Sequence, residues 1–180
     1  MLSNTDKVQP SYTYIDGATP NNISRFANDP TMIELKNDMM TFAQRICDTL
    51  TDEEDGIDGV RRAYIDDKSP YSGLSTYIYV AFDKPNDSEY LKKYKGDYLI
   101  EIRLSDHYDS AHGISDFDID MVGKTVEEFE QDVIDLVRQH KKLLDNAYAD
   151  WQETHRVSDA QKYRNRVRII KNQKAQNKRS

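Results

Sequence analysis

Between Val126 and Trp151, a stripe at helical spacings of three and four runs through Val126, Phe129, Val133, Leu136, Val137, His140, Leu143, Leu144, Ala147 and Trp151. That spacing places them on one face of an α-helix. Thr125 and Glu128 form a Thr-x-x-Glu pair, which satisfies the open amides of a first helical turn. The result is a helix of about seven turns or more, longer than a small sheet can cover. Its far end therefore needs another helix to pack on. Ser158 with Gln161 reads as a second helix start. Ala160, Tyr163, Val167 and Ile170 then form a narrow apolar stripe on a basic helix.

Charge divides the chain. From His155 to Ser180 there are nine basic residues and one acid, Asp159, a net of +8; the remainder holds sixteen basic and thirty-one acidic residues, a net of −15. An acidic body carrying a basic tail points to contact with nucleic acid or with a protein that holds it. Lys162, Arg164, Arg166, Arg168, Lys171 and Lys174 recur every two to three residues. They are the candidate phosphate contacts, with Tyr163 available to stack on a base. A length of 180 residues with 37% hydrophobic residues suits one modest core plus segments outside it. No apolar run approaches the ~20 residues of a membrane span, and the polar start of the chain lacks an apolar leader core. Cys47 is the single cysteine, which excludes an internal disulfide and a cysteine-based metal cluster. The expectation is an intracellular protein with no cofactor, no membrane contact and no small-molecule ligand.

Before the long helix, residues 1–28 read as a flexible arm or a hairpin closed at Asp16-Gly17. A helix is predicted over Thr31–Leu50, capped by Asp29 with Pro30 at its first position. Three strands follow by period-two alternation, at Leu74–Phe82, Tyr98–Leu104 and Asp116–Val122, with a weaker one at Val60–Ile65. These elements define an α+β fold: a small antiparallel sheet of three to four strands, helices packed on one face, and a helical C-terminal extension. The domain limits are 29–154 for the core and 155–180 for the basic helix or tail.

Three patterns invite chemistry. Gly123-Lys124-Thr125 ends like a phosphate-binding loop, but Asp118 stands where that loop needs its first glycine. Asp116, Asp118, Asp120 and Glu127 match positions 1, 3, 5 and 12 of a calcium loop, but Met121 occupies the position whose sharp turn needs glycine. If the last two strands pair antiparallel, their wet face carries Arg103 and His107 beside Asp116, Asp118 and Asp120, with Tyr77 and Tyr79 nearby. A histidine to move a proton and an arginine to steady phosphate charge suit metal-independent cleavage of a phosphodiester. The bland counterpart is an arginine paired with an aspartate across the sheet.

The run from Tyr98 to His107 reads Tyr-Leu-Ile-Glu-Ile-Arg-Leu-Ser-Asp-His, and a short polar loop, a strand and a long helix follow it. This resembles the core of anti-CRISPR proteins of phages and mobile elements that inhibit the type II RNA-guided nuclease. Ser69-Pro70-Tyr71-Ser72, ahead of the Leu74 strand, is similar to the serine- and tyrosine-rich stretch before that core. The resemblance covers about Ser69 to Leu144. It implies a sheet-plus-helix core, the nuclease and its guide RNA as partners, and inhibition that in some relatives includes shortening of the guide. It transfers Arg103, Leu104, Ser105 and His107 as motif members without assigned roles. Here the loop adds Asp106 and His112, and the basic residues lie C-terminal to the core instead of N-terminal. The alternative from the residues alone is a ribonuclease or RNA-binding module of a mobile element with no CRISPR role.

Overall fold

The computed structural model describes residues 2–66, 74–106 and 115–177. Helix α1 spans Pro30–Leu50, starting where Asp29 accepts a hydrogen bond from the Thr31 amide, with Pro30 in its first turn. Strand β1 is Val60–Asp66 and β2 is Thr76–Phe82. A short helix α2 covers Ser88–Tyr94, then β3 covers Leu99–Ser105 and β4 covers Phe117–Asp120. Helix α3 runs from Val126 to Asn177, 52 residues. The architecture is α+β with a helical C-terminal region.

The four strands form one sheet in the order β1-β2-β3-β4. β1 pairs antiparallel with β2 and β2 antiparallel with β3, with Ile78 beside Ile102 and Tyr77 beside Arg103. The expectation of an all-antiparallel sheet needs correction at its edge. β4 lies parallel to β3, with Arg103 beside Asp118 and Leu104 beside Ile119. Alternation fixes which face of a strand is buried but not its direction. Phe117, Ile119 and Met121 face the core in either sense, and the eleven residues between the strands provide a crossover of roughly the required length.

One face of the sheet, carrying Ile78, Val80, Ile100, Ile102 and Leu104, packs against α1 and α3. α1 contributes Met32, Leu35, Met39, Phe42, Ile46 and Leu50, and α3 contributes Val126, Phe129, Val133, Val137 and Leu144. The first residues complete this core. Val8 is buried, its amide donating to the Lys124 carbonyl and its carbonyl accepting from the Gly123 amide. The hairpin expected in residues 1–28 is absent from the described residues. Its two arms are single 3-10 turns, Ser11–Tyr14 and Ile23–Phe26, on either side of Gly17 at φ +78°.

Asp106, just beyond β3, ties three parts of the chain together. Its carboxylate is 2% exposed and accepts hydrogen bonds from the amides of Ser11 at 2.7 Å and Leu74 at 2.9 Å. Loss of a charged acceptor that leaves buried donors behind is expensive. Asp106→Ala should destabilise the fold by about 3 kcal/mol, comparable to the ~2–5 kcal/mol of the core truncation Ile102→Ala. Urea unfolding of both variants measures this, and a loss below about 1 kcal/mol for Asp106→Ala would show that the N-terminal segment is not held through this group.

Cys47 lies buried on the inner face of α1. Burial first, and then the nearby Asp48 charge, push its thiol up to about 12. The unfolded thiol loses its proton at about pH 8.5. Below that pH the group leaves stability unchanged; above it the unfolded chain ionises first and stability falls until the folded thiol titrates. Two outcomes follow. Cys47 should react with a thiol reagent only as fast as the protein unfolds, and Cys47→Ala should lose the corresponding part of the alkaline destabilisation.

Candidate nucleic-acid interface

Helix α3 is positioned at its start by a tight turn. Gly123 adopts φ +79°, a conformation that favours glycine. The Thr125 amide donates to Glu128 Oε2 at 2.7 Å, and the Glu128 amide donates to Thr125 Oγ1 at 3.2 Å. This is the reciprocal cap expected from the Thr-x-x-Glu pair.

The far end of the body is closed by an aromatic cluster that the sequence reading did not anticipate. α2 begins at Asp87, whose Oδ1 accepts from the Tyr90 amide at 3.0 Å. The other oxygen, Oδ2, accepts from Trp151 Nε1 of α3 at 3.2 Å. The buried Tyr90 ring lies 5.0 Å from Tyr148, 5.6 Å from Trp151 and 4.9 Å from Tyr94. Tyr98 meets Tyr90 edge-on at 6.3 Å. Burial, and then the hydrogen bond with Tyr90, hold the Tyr98 phenol above its ordinary pKa. Asp87 ahead of Tyr90, Leu91 and Tyr94 at helical spacing is the signal that could have found α2. His155 stacks on Trp151 at 3.7 Å and bonds the Trp151 carbonyl through Nδ1 at 2.9 Å. It ends the aromatic cluster.

Beyond His155 the described side chains of the helix are exposed or, at Val167, half-buried. The second start predicted at Ser158 does not occur, because α3 passes through it unbroken. The reason is in the sequence: no glycine or proline follows Gly123, so nothing terminates the helix. From Arg156 to Asn177 the helix extends about 33 Å at ~1.5 Å per residue. Lys162, Arg164, Arg166, Arg168 and Lys171 are all exposed. The side chain of Lys174, the sixth candidate, lies outside the described residues. Tyr163, Ile169 and Ile170 are 69%, 56% and 51% exposed. Two ion pairs among the described residues here are local, Arg156 with Glu153 at 2.8 Å and Lys162 with Asp159 at 3.8 Å. Exposed pairs of this type contribute little, so they leave the cations available to an anionic partner.

The second candidate region is arranged differently from the expectation. Arg103 was expected on a wet face, but it is 4% exposed, with Nη2 at 3.4 Å from both Ser75 Oγ and Ser105 Oγ. A guanidinium so enclosed is not presented to the backbone of a polymer in solution. The aspartates do line up along β4, but each has a local role. Asp116 Oδ2 accepts from the Glu101 amide at 2.8 Å, Asp118 Oδ1 from Ser115 Oγ at 2.8 Å and Asp120 Oδ1 from the Val122 amide at 3.0 Å. Among the described residues no cluster of three or more histidine, cysteine or carboxylate side chains is placed to hold a metal ion. His107, the candidate proton carrier, and His112 lie outside the described residues, as does the Ser69–Ser72 stretch. Among the described residues no helix is long and apolar enough to cross a membrane.

Comparison of the chain with protein-family models, with curated proteins and with solved structures returned no match.

The geometry separates two halves of α3 energetically. Arg164→Gln, Arg166→Gln and Arg168→Gln together should leave the unfolding free energy within about 0.5 kcal/mol of the parent, as exposed substitutions away from packing do. Trp151→Ala, which opens the aromatic cluster, should cost ~3–5 kcal/mol. Chemical denaturation of the two variants tests the pair; a large loss from the arginine changes would show that the extension is bound to the body.

Proposed function

We propose that this chain is an inhibitor that binds a type II RNA-guided nuclease in complex with its guide RNA. It acts by occupancy, without cutting RNA. The observation that carries the reading is the helical extension beyond His155, which holds at least five exposed cations clear of an acidic body. Counterion release drives such a helix onto phosphates. The net −15 of the remaining chain suits the positively charged channels in which these nucleases hold nucleic acid. The choice of nuclease comes from the resemblance of the Tyr98–His107 run. The choice of binding over cleavage is supported by the burial of Arg103 and the local hydrogen bonds of Asp116, Asp118 and Asp120.

The test is DNA cleavage by several type II nucleases loaded with guide, with and without excess protein, followed by a denaturing gel of the guide. Cleavage should be suppressed while the guide stays whole. The Arg164→Gln, Arg166→Gln, Arg168→Gln variant should need about tenfold more protein or greater for the same inhibition, and the deficit should widen with salt. Undiminished cleavage by every nuclease would remove the CRISPR reading. A shortened guide would instead restore His107, with His107→Ala then expected to slow cutting ~10²–10⁴-fold.

A further inference from the structure

The extension has an apolar stripe that phosphate binding alone does not use. At about 100° per residue, Ala160, Tyr163, Val167 and Ile170 fall within roughly 80° of one another. Arg164, Arg168 and Lys171 lie roughly 60–120° to one side, and Lys162 and Arg166 roughly 80–120° to the other, where Asp159, paired with Lys162 at 3.8 Å, is the one acid. The remaining face carries the uncharged Ser158, Asn165 and Asn172, with Ile169 beside them. The helix therefore presents a strip of apolar side chains between two rows of cations. The strip is rotated roughly a third of a turn from the face that α3 buries through Phe129, Val133, Val137 and Leu144. It is therefore not a continuation of the core.

We propose that this extension lies in the major groove of B-form duplex DNA, its apolar strip toward the base edges and its two cation rows toward the two phosphate backbones. The inference rests on the reading of the extension as a nucleic-acid contact and names which nucleic acid it fits. A single strand offers one backbone and leaves the second cation row without a partner. The major groove of duplex RNA is too deep and narrow to admit side chains. The major groove of B-DNA is about 12 Å wide, the diameter of a helix with its side chains, and is bounded by phosphates on both sides. Thymine methyls on its floor provide apolar contact for Val167, Ile170 and Ala160. Because the helix stands about 33 Å clear, the acidic body stays outside the groove, away from phosphate repulsion.

The experiment is fluorescence anisotropy of the full chain with three labelled probes of one A·T-rich sequence: duplex DNA, the corresponding duplex RNA, and the single DNA strand. Each is titrated at several salt concentrations. Duplex DNA should bind about tenfold or more tighter than the other two at matched salt. Val167→Asn with Ile170→Asn, which keeps every charge, should weaken duplex DNA roughly five- to thirtyfold, leave the other probes within about twofold and leave the salt slope unchanged. The triple arginine variant should weaken all three probes and lower the slope by about two to three. Circular dichroism confirms that each variant keeps its helix. Equal affinity for duplex and single strand, or wild-type duplex binding by the asparagine variant, would overturn the assignment while leaving the nucleic-acid reading in place. Absence of binding to every probe at low salt would overturn both and leave the strip to a protein groove.

Discussion

The structure depends on α3 being one uninterrupted helix. Its first half is a wall of the core, covering the sheet with Val126, Phe129, Val133 and Val137. Its second half has no core to cover, and a lone helix of that composition is not held by packing. Stability in the body is therefore exported along the rod: the extension is helical because it propagates from a nucleus already fixed by the sheet, the cap at Thr125 and the cluster at Trp151. Propagation adds one hydrogen bond per residue without a new nucleation cost. The aromatic cluster sets where support ends. Asp87 serves it twice, starting α2 with one oxygen and holding the Trp151 indole with the other.

Charge along α3 follows the same division. Glu127 and Glu128 stand in the first turn, where the helix dipole favours acids, and the cations gather toward the other end, where it favours bases. The dipole effect fades within a turn, so it accounts for the ends and not for cations spread from Lys162 to Lys171. Those are better understood through distance. At physiological salt, charges are screened over about 8 Å. An extension of about 33 Å thus carries its outer cations beyond the screened reach of the −15 of the rest of the chain, so that a polyanionic partner would not feel that charge there. A compact protein of the same composition would repel the same partner.

Much of this was legible in the sequence, for physical reasons specific to each element. α1 was readable because Asp29 and Pro30 mark its start, and α3 because a stripe of ten positions admits no other period. The faces of the strands were readable because Ile78, Val80, Ile100 and Ile102 alternate with polar neighbours. Direction was not: nothing in Asp116–Val122 distinguishes a parallel from an antiparallel partner, and β4 is parallel. Ser158 misled because a capping pair is a local signal, and a helix already under way overrides it. Lys162, Arg164, Arg166, Arg168 and Lys171 are exposed, as cations on a helix with no core to cover are expected to be. Arg103 was misplaced because alternation identifies the face opposite the core but says nothing of what else covers that face.

That misplacement changes how the Tyr98–His107 run is understood. Within it, Ile100, Ile102 and Leu104 fill the core, and Tyr98 supports the Tyr90 cluster. The Ser105 carbonyl accepts from the Met121 amide at 2.9 Å, extending the β3–β4 pairing by one residue. Arg103 is packed against the hydroxyls of Ser75 and Ser105, and Asp106 fastens the amides of Ser11 and Leu74. From Tyr98 to Asp106 most side chains thus have a structural use that needs no ligand. A run of this kind identifies a fold more directly than a reaction, since the same side chains are required wherever a strand must end against an N-terminal segment and a neighbouring loop. Among the described residues the exposed cations lie more than fifty residues further on, in Lys162–Lys171, on the part of α3 beyond Trp151.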